Sequence, residues 1–169
     1  MTPLNHALLG LIRAHPRSGY ALLKVFETTP MGSYSSSPGS IYPALRSLEK
    51  AGLVDVRDPR DARGKGLYHI TAAGRAALEQ WMSAPIVDLD EALLRFAFLP
   101  EDDGPAIRAF LDAFEAAADA QASGLAAFLA SDAATGMTAK SRIAVEHGRC
   151  RLTASAGWAR AAKRHFSDE

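Results

Sequence analysis

Apolar residues recur along most of this chain at three- and four-residue steps, the period of a helix that buries one face. Leu4, Leu8, Leu11 and Ile12 share one side of a predicted helix over 4–14. "HPRSG" breaks it. Ser18 is placed to cap a second helix through about Thr28 that buries Tyr20 and Leu23, with Leu22 and Phe26 on the same side. "TPMGSYSSS" reads as a turn-rich loop. Ser37 as cap, Pro38 at the first helical position, the Ile41–Leu45–Leu48 spacing and a closing Gly52 predict a third helix over 38–51. The pattern then changes: "LVDVR" and "LYHIT" read as two strands. The "DPRDARGKG" between them is charged, carries Pro and two Gly, and cannot be core. Thr71 opens a fourth helix, "TAAGRAALEQWMSA", which Pro85 ends.

The remainder is helical and rich in alanine. A short helix is predicted over 88–99, with Leu89, Leu93, Leu94, Phe96, Phe98 and Leu99. After the turn "PEDDGP", Ala106–Ala130 repeats Ile107, Phe110, Leu111, Phe114, Ala118, Leu125, Phe128 and Leu129. Met137–Phe166 follows, with Ile143, Cys150, Ala154, Trp158 and Ala161 at helical steps. At 1.5 Å per residue the last two helices span roughly 35–45 Å. Half a chain of this size is not expected to cover them with a core of its own. Small alanine faces favour close helix packing, so the economical partner is a second copy.

Helix, helix, helix, strand, basic turn, strand is the order of a winged helix-turn-helix. The expected fold is therefore mainly α: an N-terminal winged helix-turn-helix with a two-stranded wing over 1–84, and a C-terminal long-helix dimerisation domain over 85–169. A small protein-binding winged helix is the reading from another class, because fold alone does not assign a partner.

Composition narrows this. The chain has 169 residues and is 48% hydrophobic, enough for a core. No apolar run reaches the roughly 18 residues of a membrane span. The opening "MTPLNHALLGLIRAHP" lacks a basic leader with a small-residue cleavage site. Cys150 is the one cysteine, which fits a reducing cytoplasm. Net charge is zero, but residues 1–82 hold ten basic against six acidic side chains, and residues 83–169 hold nine against thirteen. A basic front half suits a polyanion. The sequence holds no phosphate-cradling glycine loop, nucleophile elbow or strong metal spacing, so no enzyme and no cofactor are expected. His147 and Cys150 lie three apart on one helix, with His165 further along, too few ligands for a metal site. Core packing is the expected role of Cys150. Trp81 and Trp158 are candidates to line a pocket for a small aromatic effector near a dimer seam.

The third helix carries the candidate chemistry. Ile41, Ala44, Leu45, Leu48 and Ala51 fall on its inner side, and Gly39, Pro43, Arg46 and Lys50 on the outer, with Tyr42 on the flank. Small residues admit a duplex backbone. Ser37, Ser40 and free first-turn N–H groups can hold phosphate, and Arg46 can reach guanine edges. An interior proline costs a helix about 3 kcal/mol, so Pro43 on the outward face breaks a local rule where function is expected. In the wing turn, Arg60, Arg63 and Lys65 are placed to reach phosphate or a minor groove.

"SPGSIYPALRSLEKAGLV" closely resembles the recognition helix of PadR-family transcriptional regulators. "ALLGLIRAHPRSGYALLKVFE" is similar to that family's leading segment, which adds Tyr20 to the DNA-facing candidates, and "GKGLYHITAAGRAAL" resembles its wing. The resemblance covers 4–82 by motif. The two-helix tail resembles, by layout, the larger subfamily with a dimerising C-terminal domain. It implies a homodimeric, sequence-specific repressor on an inverted-repeat operator in double-stranded DNA, released by a small molecule such as a phenolic acid. The wing turn is also similar to that of MarR-family regulators, which lack the "SPGSIYPAL" helix; MarR-like is the second family reading.

Overall fold

Ser18, Ser37 and Thr71, expected as caps, open their helices, and four further caps join them. Thr2, Ser18, Ser37, Thr71, Asp88, Asp103 and Thr138 each accept a hydrogen bond from a first-turn N–H, satisfying donors that a helix leaves unpaired at its start. The structure is a computed structural model and describes residues 1–29, 31, 37–57 and 66–166. Its elements are α1 (Pro3–Ala14), α2 (Gly19–Thr28), α3 (Pro38–Lys50), β1 (Val54–Arg57), β2 (Leu67–Ile70), α4 (Ala72–Met82), α5 (Leu89–Phe96), α6 (Gly104–Ala130) and α7 (Ala139–Lys163). Short 3-10 turns follow α6 at Asp132–Ala134 and α7 at Arg164–Phe166. The chain divides into two compact units, Met1–Ala84 and Pro85–Glu169.

In the first unit α1 lies against α3, α4 and β2, and α2 packs on α3. Leu8, Leu9, Leu22, Ile41, Leu45 and Leu78 are fully buried between them. β1 and β2 pair antiparallel, Val54 opposite Ile70 and Arg57 opposite Leu67. Arg17 adds a third rung: its carbonyl accepts from the Tyr68 N–H at 2.9 Å, and its own N–H donates to the Tyr68 carbonyl at 3.4 Å. Thr71 ties the sheet to α4 by donating to the Gly52 carbonyl (2.7 Å) while accepting from the Gly74 N–H (3.0 Å). Gly74 has no room for a side chain, since a Cβ there would stand 2.0 Å from the Leu53 carbonyl oxygen. Trp81 stacks on His6, rings 4.3 Å apart and 12° from parallel, joining α1 to α4.

Two expectations about this unit are corrected. Tyr20 is 49% exposed rather than buried; it lies one position from Gly19 on the solvent side of α2, with Lys24 Nζ 5.7 Å from its ring centre. Ala51 is exposed, because it is the C-cap and has left the helical wheel.

In the second unit α6 and α7 form an antiparallel hairpin. Arg160 reaches Glu115 (2.8 Å) and Asp119 (3.1 Å), and Lys163 reaches Asp112 and Glu115 (both 2.6 Å). At the turn, Arg142 donates to the Leu129 and Ala134 carbonyls, both at 3.2 Å, and so caps α6 from α7. Contrary to expectation, this unit has its own core: Leu89, Ala92, Ile107, Leu111, Phe114, Ala118, Ala122, Leu152, Ala156 and Ala159. Alanines let α7 approach α6 closely, and α5 covers the far side. That core fills only the base of the hairpin. Past Ala122 no residue of α6 is buried, and none of α7 before Leu152; Ala134 is buried in the turn between them, while Phe128 is 39% and Ile143 69% exposed.

Candidate nucleic-acid interface

α3 is built to present one face. Ile41, Leu45 and Leu48 anchor the other at no more than 1% exposure. Its end is closed by a two-bond cap: the Gly52 N–H donates to the Glu49 carbonyl and the Leu53 N–H to the Leu48 carbonyl. Gly52, at φ +70°, supplies the left-handed residue this cap needs. Pro43 sits inside an unbroken helix and is exposed. It denies the Gly39 carbonyl its usual donor, at a point where both groups face water.

Ser37, Gly39, Ser40, Pro43, Arg46 and Lys50 are all exposed. The run is small at the N-terminal end and cationic beyond it. Among the described residues, no ion pair holds Arg46 or Lys50. Both charges are therefore available to a polyanion. Glu49, also exposed, breaks the positive stripe on the flank toward the wing.

The phosphate-holding N–H groups foreseen at the start of α3 are corrected. The Gly39 N–H is taken by the Ser37 hydroxyl (3.1 Å) and the Ser40 N–H by the Ser37 carbonyl (3.0 Å). Pro38 has no N–H. The first turn is saturated by its own cap, so this end presents the exposed Ser40 rather than free amides.

Tyr42, expected on the flank, is half-buried. Its ring passes over Gly19, where a Cβ would stand 2.8 Å from Tyr42 Cε1. It lines a cavity of about 300 Å³ with Gly19, Val56, Gly66 and Tyr68. Burial holds the Tyr68 phenol above its ordinary range; Glu49 adds to this and Arg46 opposes it. The sequence reading missed this junction of α2, α3 and wing. Its only signal was the Gly19–Tyr20 pair after the chain break, read there as a helix start. On the strand, Arg57 is spent on Asp55 through two hydrogen bonds of 2.9 and 2.7 Å. Arg60, Arg63 and Lys65 lie outside the described residues.

The tryptophans belong to separate units and each lines a cavity of its own. Trp81 is 7% exposed beneath His6, beside a cavity of about 310 Å³. Trp158 is 38% exposed and meets Phe96 and Phe114 edge-on at 5.6 and 5.3 Å. It lines a groove of about 380 Å³ with Leu93, Phe114, Arg151, Ala154 and Ser155. Cys150, expected in the core, is exposed, because α7 turns that side away from α6 ahead of the buried stretch. Among the described residues, no group of three or more His, Cys, Asp or Glu could hold a metal ion.

Residues 8–80 match the family described as "Transcriptional regulator PadR-like family". The chain is 32% identical over 77 residues to Transcriptional regulator YqjI of Escherichia coli (46% of this chain, 36% of that one). It is 30% identical over 105 residues to Negative transcriptional regulator PadR of Bacillus subtilis (59% of this chain, 58% of that one). It thus spans between about a third and somewhat over half of these relatives. A crystal structure of Bacillus subtilis PadR in complex with operator DNA aligns over 97% of this chain and 99% of that one, at 20% identity and a TM-score of 0.42, a likeness too distant to bear on function.

Proposed function

We propose that this chain, whose residues 8–80 match the PadR-like family of transcriptional regulators, binds double-stranded DNA sequence-specifically and represses transcription as a homodimer. The observation that carries the reading is the exposed Arg46 and Lys50, held by no ion pair among the described residues, beyond a small-residue face on the firmly anchored α3. α3 enters the major groove, where Arg46 meets a guanine edge. Ser37, Ser40 and Lys50 hold the flanking backbone, and Gly39 and Pro43 let the helix come close. Tyr20 and the wing residues Arg63 and Lys65 contact the backbone beside it. The protein works in the cytoplasm, where its DNA is, and is not an enzyme. Among the described residues, no helix is long and apolar enough to cross a membrane.

The uncovered half of the α6–α7 hairpin, with Phe128 and Ile143, is the dimer surface. The groove at Trp158 is the place for a small aromatic effector, which releases the operator by favouring dimers whose two reading heads are wrongly spaced. The relative from Bacillus subtilis is named a negative regulator, which favours repression over activation.

A salt titration of duplex binding tests the core of this. Binding should weaken steeply and linearly in log salt, as expected when basic side chains displace counterions. Absence of duplex binding at low salt sinks the DNA reading and leaves a protein-binding winged helix.

A further inference from the structure

We propose that Tyr42 is a positioning residue rather than a DNA contact: its ring, seated on Gly19 and sharing a cavity with Tyr68, is the spacer that sets α3 against α2 and the wing. The inference rests on the DNA-binding reading above.

Gly19 is buried at the first turn of α2. The space its missing side chain leaves is filled by α3: a Cβ there would lie 2.8 Å from Tyr42 Cε1, 3.4 Å from Tyr42 Cδ1 and 3.5 Å from Leu45 Cδ1. Contacts below 3.0 Å force something to move, and a ring cannot bend aside as a flexible chain end does. One methyl group at Gly19 therefore shifts Tyr42 or tilts α3. With Gly19, with Val56 and Gly66 of the wing, and with Tyr68, the ring lines one cavity of about 300 Å³. Tyr68 is itself fixed by two backbone hydrogen bonds to Arg17. The Tyr68 phenol also feels the charges of Glu49 and Arg46. α2, α3 and the wing thus meet around one cavity that the Tyr42 ring lines. Recognition by a bidentate guanidinium depends on geometry, so a small tilt of α3 costs specificity before it costs charge attraction.

The experiment uses the full chain and a duplex enriched on it from a random-sequence pool, with a scrambled duplex as reference. No enrichment sinks the DNA reading, and this inference with it. Given enrichment, Tyr42→Phe should keep the affinity within about twofold, because the spacer is the ring and not the hydroxyl. Gly19→Ala should lower the enriched-to-scrambled affinity ratio by about tenfold with the salt slope unchanged, since phosphate contacts remain. It should also lower the melting temperature. In a Tyr42→Ala background the added methyl should lower neither further, because the ring it displaces is gone; contacting residues are non-additive in this way. Should Gly19→Ala not fold, Tyr42→Leu decides: a shorter spacer should reduce the ratio at constant salt slope. The proposal is overturned if Tyr42→Phe alone loses about tenfold with melting unchanged, if folded Gly19→Ala keeps the ratio, if Tyr42→Leu keeps it, or if the Gly19 and Tyr42 effects simply add.

Discussion

A single proline gives the most direct residue-scale test. Pro43 is exposed within a continuous helix, so its cost is backbone chemistry: one lost hydrogen bond and a ring crowding the Gly39 carbonyl. Pro43→Ala should raise stability, by about 1–3 kcal/mol after allowing for the freer unfolded chain. If the ring lets the helix approach DNA, the same change should weaken operator binding. A melting curve and a binding titration on one preparation check the pair; unchanged affinity breaks the link between Pro43 and DNA. Gly74→Ala sits at the other extreme. A Cβ 2.0 Å from the Leu53 carbonyl must displace the start of α4 or the wing root, and should cost about 3 kcal/mol or more by denaturant unfolding. Cys150 is exposed, so Cys150→Ala should stay within about 0.5 kcal/mol of the parent and leave DNA binding intact.

At the scale of elements, the α6–α7 hairpin is pinned by charge along the same base that its apolar core fills. Hydrogen bonds from Lys163, then from Arg160, hold Glu115 below the ordinary carboxylate range. A depressed carboxylate stabilises above its unfolded pKa, and that contribution is lost as pH falls through the folded value. Asp112 and Glu115 raise Lys163, and Glu115 with Asp119 raises Arg160. Their contributions are complete below the unfolded pKa and fade as pH rises through the folded one. The clasp is therefore complete near neutrality. Glu115→Gln should lower the melting temperature at pH 7, and the gap from the parent should close below the carboxylate range. A pH series of thermal melts followed by helical signal measures this. High salt should narrow the gap too, since these pairs are partly exposed.

For the whole molecule, the open question is what covers the far half of the hairpin. The base has its own core; what calls for a second copy is Phe128 and Ile143, left exposed past that base. Light scattering at micromolar concentration should give twice the 18.0 kDa chain mass; a clean monomer sinks the dimer. A chain ending at Ser83 should still fold as the first unit, yet bind an operator far more weakly, because linking two half-sites multiplies affinity by effective concentration.

The sequence by itself determined the order of the elements, the caps of several helices, and that Ile41, Leu45 and Leu48 are the buried side of α3. Caps such as Ser18, Ser37 and Thr71 act within three residues, and helical periodicity is local, so both are readable without a fold. Tertiary structure alone decided the rest. Gly19 and Tyr42 are far apart in the chain, and only the packing of α2 on α3 brings a ring onto a glycine. Tyr20 and Cys150 share helices with buried residues, and their exposure depends on which neighbours arrive. Ser37 could have offered its amide neighbours to phosphate; the cap geometry consumed them. Whether alanine faces in α6 and α7 meet each other or another chain is a matter of close approach between distant segments. Here they meet each other along the base and stop at Ala122.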